Sequence, residues 1–181
     1  MALFAIYQRK QRGVTFLELL VAIAILGILA AIAVPYYGDY ITRQRLIGAA
    51  EAVYGQAELA KRAAVSNNDD VFLYVSGAGS STWCLTYTAS VGAVSGNCSN
   101  GYVASTANTS VRVLSENYPG ITLNASSTGH VAFQMPGVSV SFDQVVSLSS
   151  ASTTVGDMAV RIQTPQRISV CATLLGQYPD C

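Results

Sequence analysis

Charge is scarce in this chain. Lys and Arg together number ten and Asp and Glu ten, so charged residues make up 11% of 181 positions while apolar residues make up 51%. A solvated disordered chain needs the opposite balance, which leaves a globular chain with a membrane or assembly segment. Histidine occurs once, at His130, and the sequence holds no GxSxG, no glycine-rich phosphate loop and no CxxC pair. Those absences remove the residue sets on which a hydrolase, a nucleotide-binding site or a zinc site would rest. No catalytic residue and no cofactor is expected. Cationic surface is also missing: past Pro35 the basic residues are Arg43, Arg45, Lys61, Arg62, Arg112, Arg161 and Arg167, seven against nine acids. Such a balance cannot neutralise many phosphates and disfavours a general nucleic-acid binder.

Cysteine is absent from the first 83 residues and then appears four times, as Cys84, Cys98, Cys171 and Cys181. An even number without metal-ligand spacing, placed after a hydrophobic segment, reads as two disulfides made in an oxidising compartment. Of the three possible pairings the sequence-local one, Cys84 with Cys98 and Cys171 with Cys181, is expected. Each short loop would contribute about 3 kcal/mol on the chain-entropy model.

What the chain has in abundance lies near its start. Leu19 to Val34 is a run of sixteen uncharged, almost wholly apolar residues. With its flanks it reaches the roughly 20 residues a helix needs to cross a bilayer. Arg9, Lys10 and Arg12 precede it and no basic residue follows before Arg43, an asymmetry that places the leader in the cytoplasm and residues after about 40 outside. No small-residue cleavage site follows the run, so the segment stays in the mature protein. Glu18 interrupts this apolar region, and a carboxylate there costs about 2.5–3.5 kcal/mol unless partnered.

Gly13-Val14-Thr15-Phe16-Leu17-Glu18, preceded by basic residues and followed by the apolar run and Pro35, resembles the prepilin peptidase site of type IV pilins and pseudopilins. The resemblance covers about residues 9 to 45; Val14 stands where the family usually has phenylalanine. It implies cleavage after Gly13, methylation of the new amine on Val14, and retention of the helix as a filament core. It further implies a single-pass protein of the bacterial inner membrane with a periplasmic head, later built into a pilus or pseudopilus. Its partners would be other pilin subunits, the prepilin peptidase and an inner-membrane assembly platform. Glu18 would pair with the Val14 α-amine of a neighbouring subunit and set register.

Pro35 lacks an amide hydrogen and disfavours helical geometry at Val34, so the helix is expected to bend or locally melt there. Beyond it, Leu46, Ala50, Val53, Ala57, Ala60 and Ala64 recur at steps of four and three, an apolar stripe at helical period. Ser66-Asn67-Asn68-Asp69-Asp70 stops that helix. From Val71 the composition turns to Ser, Thr, Gly and Val, with strands expected over 71–75, 83–89, 111–114, 121–124, 131–135, 138–146, 158–163 and 168–173. The expected fold is α+β: a long N-terminal helix, membrane half and amphipathic half, packed on a β-rich, pilin-like head. The segments are a cleaved leader over 1–13, a transmembrane or filament-core helix over 14–37, an amphipathic helix over 38–66 and the head over 67–181.

Other residues are read blandly. His130 is a hydrogen-bonded or exposed histidine, Asp69-Asp70 are solvated helix-stop residues rather than calcium ligands, and Trp83 is core packing. The segment from Gly129 to Cys171 is similar to the distal part of the GspH/FimT group of minor pilins and pseudopilins through Phe133, Gly137 and the Arg161 to Arg167 stretch. Pro165-Gln166-Arg167 replaces the turn expected there. That similarity favours a minor pilin or H-type pseudopilin of a type IV pilus or type II secretion filament over a major pilin. A third reading makes the head an adhesive or DNA-binding module, with Arg161 and Arg167 contacting DNA.

Overall fold

The computed structural model describes residues 13–88, 113–126, 129–136, 139–165 and 167–181, with the side chains of 33–36 and Gly129 outside that description. The leader, apart from Gly13, together with Cys98, Gly137, Val138 and Gln166, therefore lies outside the described residues, as does the side chain of Pro35. The chain divides into two compact units, up to Gly38 and Asp39–Cys181.

Among the described residues one α-helix, α1 (Phe16–Asn67), precedes nine strands. Its end is written in the sequence: Asn68 adopts a left-handed φ of 49°, a conformation asparagine tolerates better than most residues. Asp69 then turns its Oδ1 onto the amide of Asp70 at 2.8 Å, and the Asp69 amide donates back to Ala64 O at 3.3 Å. Asp70 is not merely solvated, because its Oδ1 accepts the Met135 amide at 2.8 Å and ties the helix exit to a turn 65 residues later.

Within the Asp39–Cys181 unit the strands form two antiparallel sheets. The five-stranded sheet runs in the order β3 (Val113–Leu114), β2 (Cys84–Thr88), β1 (Val71–Ser76), β5 (Gly129–Gln134), β6 (Ser139–Val140). The four-stranded sheet runs β4 (Ile121–Ala125), β7 (Gln144–Ser150), β8 (Met158–Gln163), β9 (Arg167–Ala172). The fold is α+β, with the helix stripe packed on antiparallel sheets: Leu46, Ala50, Val53, Ala57, Ala60 and Ala64 are all fully buried. They share one core with Leu73, Leu85 and Phe133 of the larger sheet and Leu123, Leu148, Val160 and Ile162 of the smaller. Each large apolar side chain buried this completely contributes about 1.5–3 kcal/mol.

The alternation of Val138 to Phe142 suggests one strand through 146, and the structure differs. The chain breaks at Ser141-Phe142-Asp143 and passes there from one sheet to the other. Ser141 closes the first sheet by exchanging bonds with Ala132, its amide to Ala132 O at 3.0 Å and its Oγ accepting the Ala132 amide at 3.2 Å. Asp143 Oδ1 then accepts the amide of Thr164 at 2.7 Å and opens the second. Phe142, inward-facing in a continuous strand, is instead 39% exposed.

Contacts at Trp83 and Gly79 help hold the sheets to each other. Fully buried Trp83 donates its Nε1–H to Ile121 O at 2.8 Å and stacks on Tyr118 with ring centroids 6.1 Å apart. The loop between β1 and β2 sends the Gly79 amide to Leu123 O at 2.7 Å, covering the outer edge of β4. That loop depends on Gly77, whose φ is +76° and whose added Cβ would stand 2.0 Å from Thr82 O. Gly77→Ala is expected to destabilise the protein by about 2 kcal/mol or more, since both the backbone angle and the clash oppose a side chain. Denaturant unfolding of the detergent-solubilised chain measures it; an unchanged midpoint contradicts the account.

Candidate functional site

Gly13, Val14 and Thr15 are non-helical and exposed, and α1 begins at Phe16. Thr15 is the reason for that start. Its Oγ1 accepts the Glu18 amide at 3.2 Å while its carbonyl accepts the first helical bond, from the Leu19 amide at 3.2 Å. Such a threonine cap contributes about 1 kcal/mol to the helix. Thr15-x-x-Glu18 also has the spacing of a capping box, a signal in the sequence that the hydropathy reading passed over. Glu18 therefore sits in the first turn of α1, where the helix dipole favours a negative charge. Among the described residues its carboxylate has no side-chain partner within the chain.

The surface that follows is apolar all round. From Val14 to Ile32 the large apolar side chains are exposed, from 42% at Leu20 to 79% at Phe16. A helix hydrophobic on every side cannot satisfy itself in water and needs lipid or other helices around it. Among the described residues no single helix is long and apolar enough to cross a membrane. The stretches Phe16–Ile32 and Tyr37–Asn67 pass that test together by length and composition. Pro35 falls in the four residues between them, whose side chains lie outside the description.

The other candidate residues occupy the far end of the chain. Cys171 and Cys181 are joined, with Cα atoms 4.9 Å apart. Cys84 is also in a disulfide, and Cys98 lies outside the described residues. The Cys171–Cys181 loop is tied down at several points. The Ala172 amide donates to Pro179 O at 2.9 Å, Leu175 is buried in the core, and Tyr178 donates its hydroxyl to Glu51 Oε1 of α1 at 2.9 Å. Arg161 and Arg167 share one face of the smaller sheet, because Arg167 stands opposite Gln163 and Arg161 two residues along β8. Val160 and Ile162 on the other face are core. Arg161 is already committed, donating from Nη2 to Cys181 O, while Arg167 is exposed.

His130 packs on rings, edge-on to Phe72 at 5.3 Å and tilted on Tyr74 at 5.1 Å. Among the described residues no group of three or more His, Cys, Asp or Glu is placed to hold a metal. The arrangement offers an accessible non-helical segment ahead of α1, an apolar helix surface and a stapled terminal loop.

Residues 8–34 match the family model described as the prokaryotic N-terminal methylation motif. The chain is 47% identical over 49 residues to the fimbrial protein EcpC of Eikenella corrodens, a match covering 27% of this chain and 32% of that one. It is 38% identical over 63 residues to a fimbrial protein of Pseudomonas aeruginosa, covering 35% and 41%. It is 54% identical over 43 residues to the type IV major fimbrial protein FimA of Dichelobacter nodosus, covering 24% and 25%. The matched stretches thus span well under half of these relatives' length. A crystal structure of the type IV minor pilin FimU of Pseudomonas aeruginosa shares the fold, with a TM-score of 0.52 over 72% of this chain and 91% of that one at 16% identity.

Tyr178 supplies a titration that reports on the terminal loop. Burial, then the hydrogen bond and negative charge of Glu51, raise its phenol above the ordinary 10.0. A raised folded pKa means that the stability from this contact is complete below pH 10 and is lost as pH climbs through the folded value. Subtracting a Tyr178→Phe absorbance titration from that of the wild type should reveal a phenol ionising above 10. Glu51→Gln should bring it down; an unmoved titration contradicts the contact.

Proposed function

We propose that this chain, a type IV pilin by its N-terminal motif and minor-pilin-like in fold, is a structural filament subunit processed after Gly13 and assembled through α1. The observation that carries the reading is the pairing of an exposed, non-helical Gly13–Thr15 segment with an apolar helix surface that has no cover of its own. A peptidase needs extended, accessible backbone at the bond it cuts. The apolar helix needs first a bilayer and then neighbouring helices. In this reading the precursor sits in the inner membrane with its head in the periplasm, and an assembly platform passes it into the filament.

Glu18 supplies the register. Once Gly13 is removed, the α-amine of Val14 lies in the same apolar layer as the Glu18 carboxylate of an adjacent subunit, and each charge is costly without the other. Methylation of that amine keeps its charge and so leaves the pairing intact. The fold favours a minor subunit over a major one. The likeness in fold to FimU covers 72% of this chain, whereas the sequence match to the major fimbrial protein FimA of Dichelobacter nodosus is confined to 43 residues. The same parts would serve a pilus or a type II secretion pseudopilus. A DNA-contacting role for Arg161 and Arg167 is less favoured, because Arg161 is engaged with Cys181.

Glu18→Ala tests the reading. The variant should be cleaved and inserted normally, while its incorporation into sheared filaments falls by about a hundredfold, the cost of leaving one buried charge uncompensated. Normal incorporation would remove the register role.

A further inference from the structure

The chain enters the Asp39–Cys181 unit five residues after Val34, where the apolar run ends. Five residues cannot reach further than about 18 Å, and at the helical rise Tyr40 lies about 9 Å past Val34. The headgroup layer is about 5–8 Å deep on each side of the hydrocarbon. Whatever surrounds the entry to this unit therefore meets that layer whenever the apolar run lies in a bilayer. The terminal loop surrounds it. A cleft of about 250 Å³ joins Asp39, Tyr40 and Arg43 of α1 to Thr154, Leu174 and Leu175. Leu175 is buried, while Leu174 is 62% and Tyr40 57% exposed. Gly156 leaves the room in which Leu174 sits, since a Cβ there would meet it at 2.8 Å. The Asp39 carboxylate is engaged, accepting hydrogen bonds from Ser152 Oγ at 3.2 Å and Thr154 Oγ1 at 3.0 Å. The rim left outward is a leucine, a phenol and the exposed Arg43.

We infer that, before assembly, the head rests by this rim on the lipid surface its helix emerges from, an inference that depends on the membrane placement proposed above. Leu174 then enters the boundary between headgroups and acyl chains, and Arg43 reaches lipid phosphate. Each side chain suits that layer for its own reason. Tyrosine keeps its ring in an apolar setting and its hydroxyl in a wet one. Arginine lays its stem along apolar surface and holds its guanidinium at the level of the phosphates. One exposed leucine in water would mean little; beside Tyr40 and Arg43, within reach of a bilayer, it completes an interfacial set. The Cys171–Cys181 bond and buried Leu175 hold that leucine in place. In the precursor the stapled loop thus faces lipid rather than open solution.

Leu174→Trp in the full-length chain, reconstituted in vesicles of phosphatidylethanolamine and phosphatidylglycerol, tests the contact. Trp83 is the only native tryptophan and is fully buried, so the wild type in the same lipids supplies the background. Lipids brominated near the headgroup should quench the added indole about twofold. Val65→Trp is the control, at a site 55% exposed and about 37 Å further along α1 than Tyr40, and should not be quenched. Arg43→Gln should shift the balance about fivefold toward undocked heads in these anionic vesicles, read as weaker quenching at 174. Protease resistance equal to that of the wild type shows that each variant is folded; where Leu174→Trp loses it, Tyr40→Trp carries the same expectation. A folded chain that floats with the vesicles but is unquenched at 174 and 40, or is quenched equally at 65, would overturn the lipid contact and leave the membrane placement standing. A wild-type chain that does not float with them would overturn both.

Discussion

The structure depends on how closely α1 can approach the sheets. Ala49, Ala50, Ala57, Ala60 and Ala64 are fully buried on one helix face, with Leu46 and Val53 the larger members of that stripe. Alanine brings little apolar area of its own; it lets backbone come near backbone, so the large residues of two sheets can close around the helix at interior density. Gly48 extends the same logic, since a Cβ there would press on the Tyr118 ring at 3.3 Å, and Tyr118 is the stacking partner of Trp83. Removing these small residues would separate the sheets from the helix, and the indole bond from Trp83 to Ile121 with them.

The same helix carries two incompatible surfaces in series. From Leu46 onward its apolar face is buried within the head; from Val14 to Ile32 its large apolar residues are exposed. Solvent preference alone therefore assigns the two parts to different environments. The terminal disulfide loop belongs to the first part, because Tyr178 reaches Glu51 and Arg161 reaches Cys181.

Legibility varied with distance along the chain. Periodicities of 3.6 and 2 are local, so the helix stripe and most strands could be read directly, β8 residue for residue. The division of 138–146 into β6 and β7 was hidden, because the cause is the chain's passage between sheets, fixed by Ala132 and Thr164, neither of them near in sequence. Asp70 was misread for the same reason: its partner is the Met135 amide. The Thr15 cap was legible, as threonine three before glutamate, and was overshadowed by the hydropathy around it. Arg161 looked free because nothing local predicts its bond to Cys181.

The central claim is that one helix, freed of its leader, passes from membrane to filament. Intact-mass spectrometry of the chain from sheared filaments and from membranes tests it most directly. The account predicts a filament species beginning at methylated Val14 and oxidised at all four cysteines. A chain that retains residues 1–13, or one found only in membranes, would contradict it.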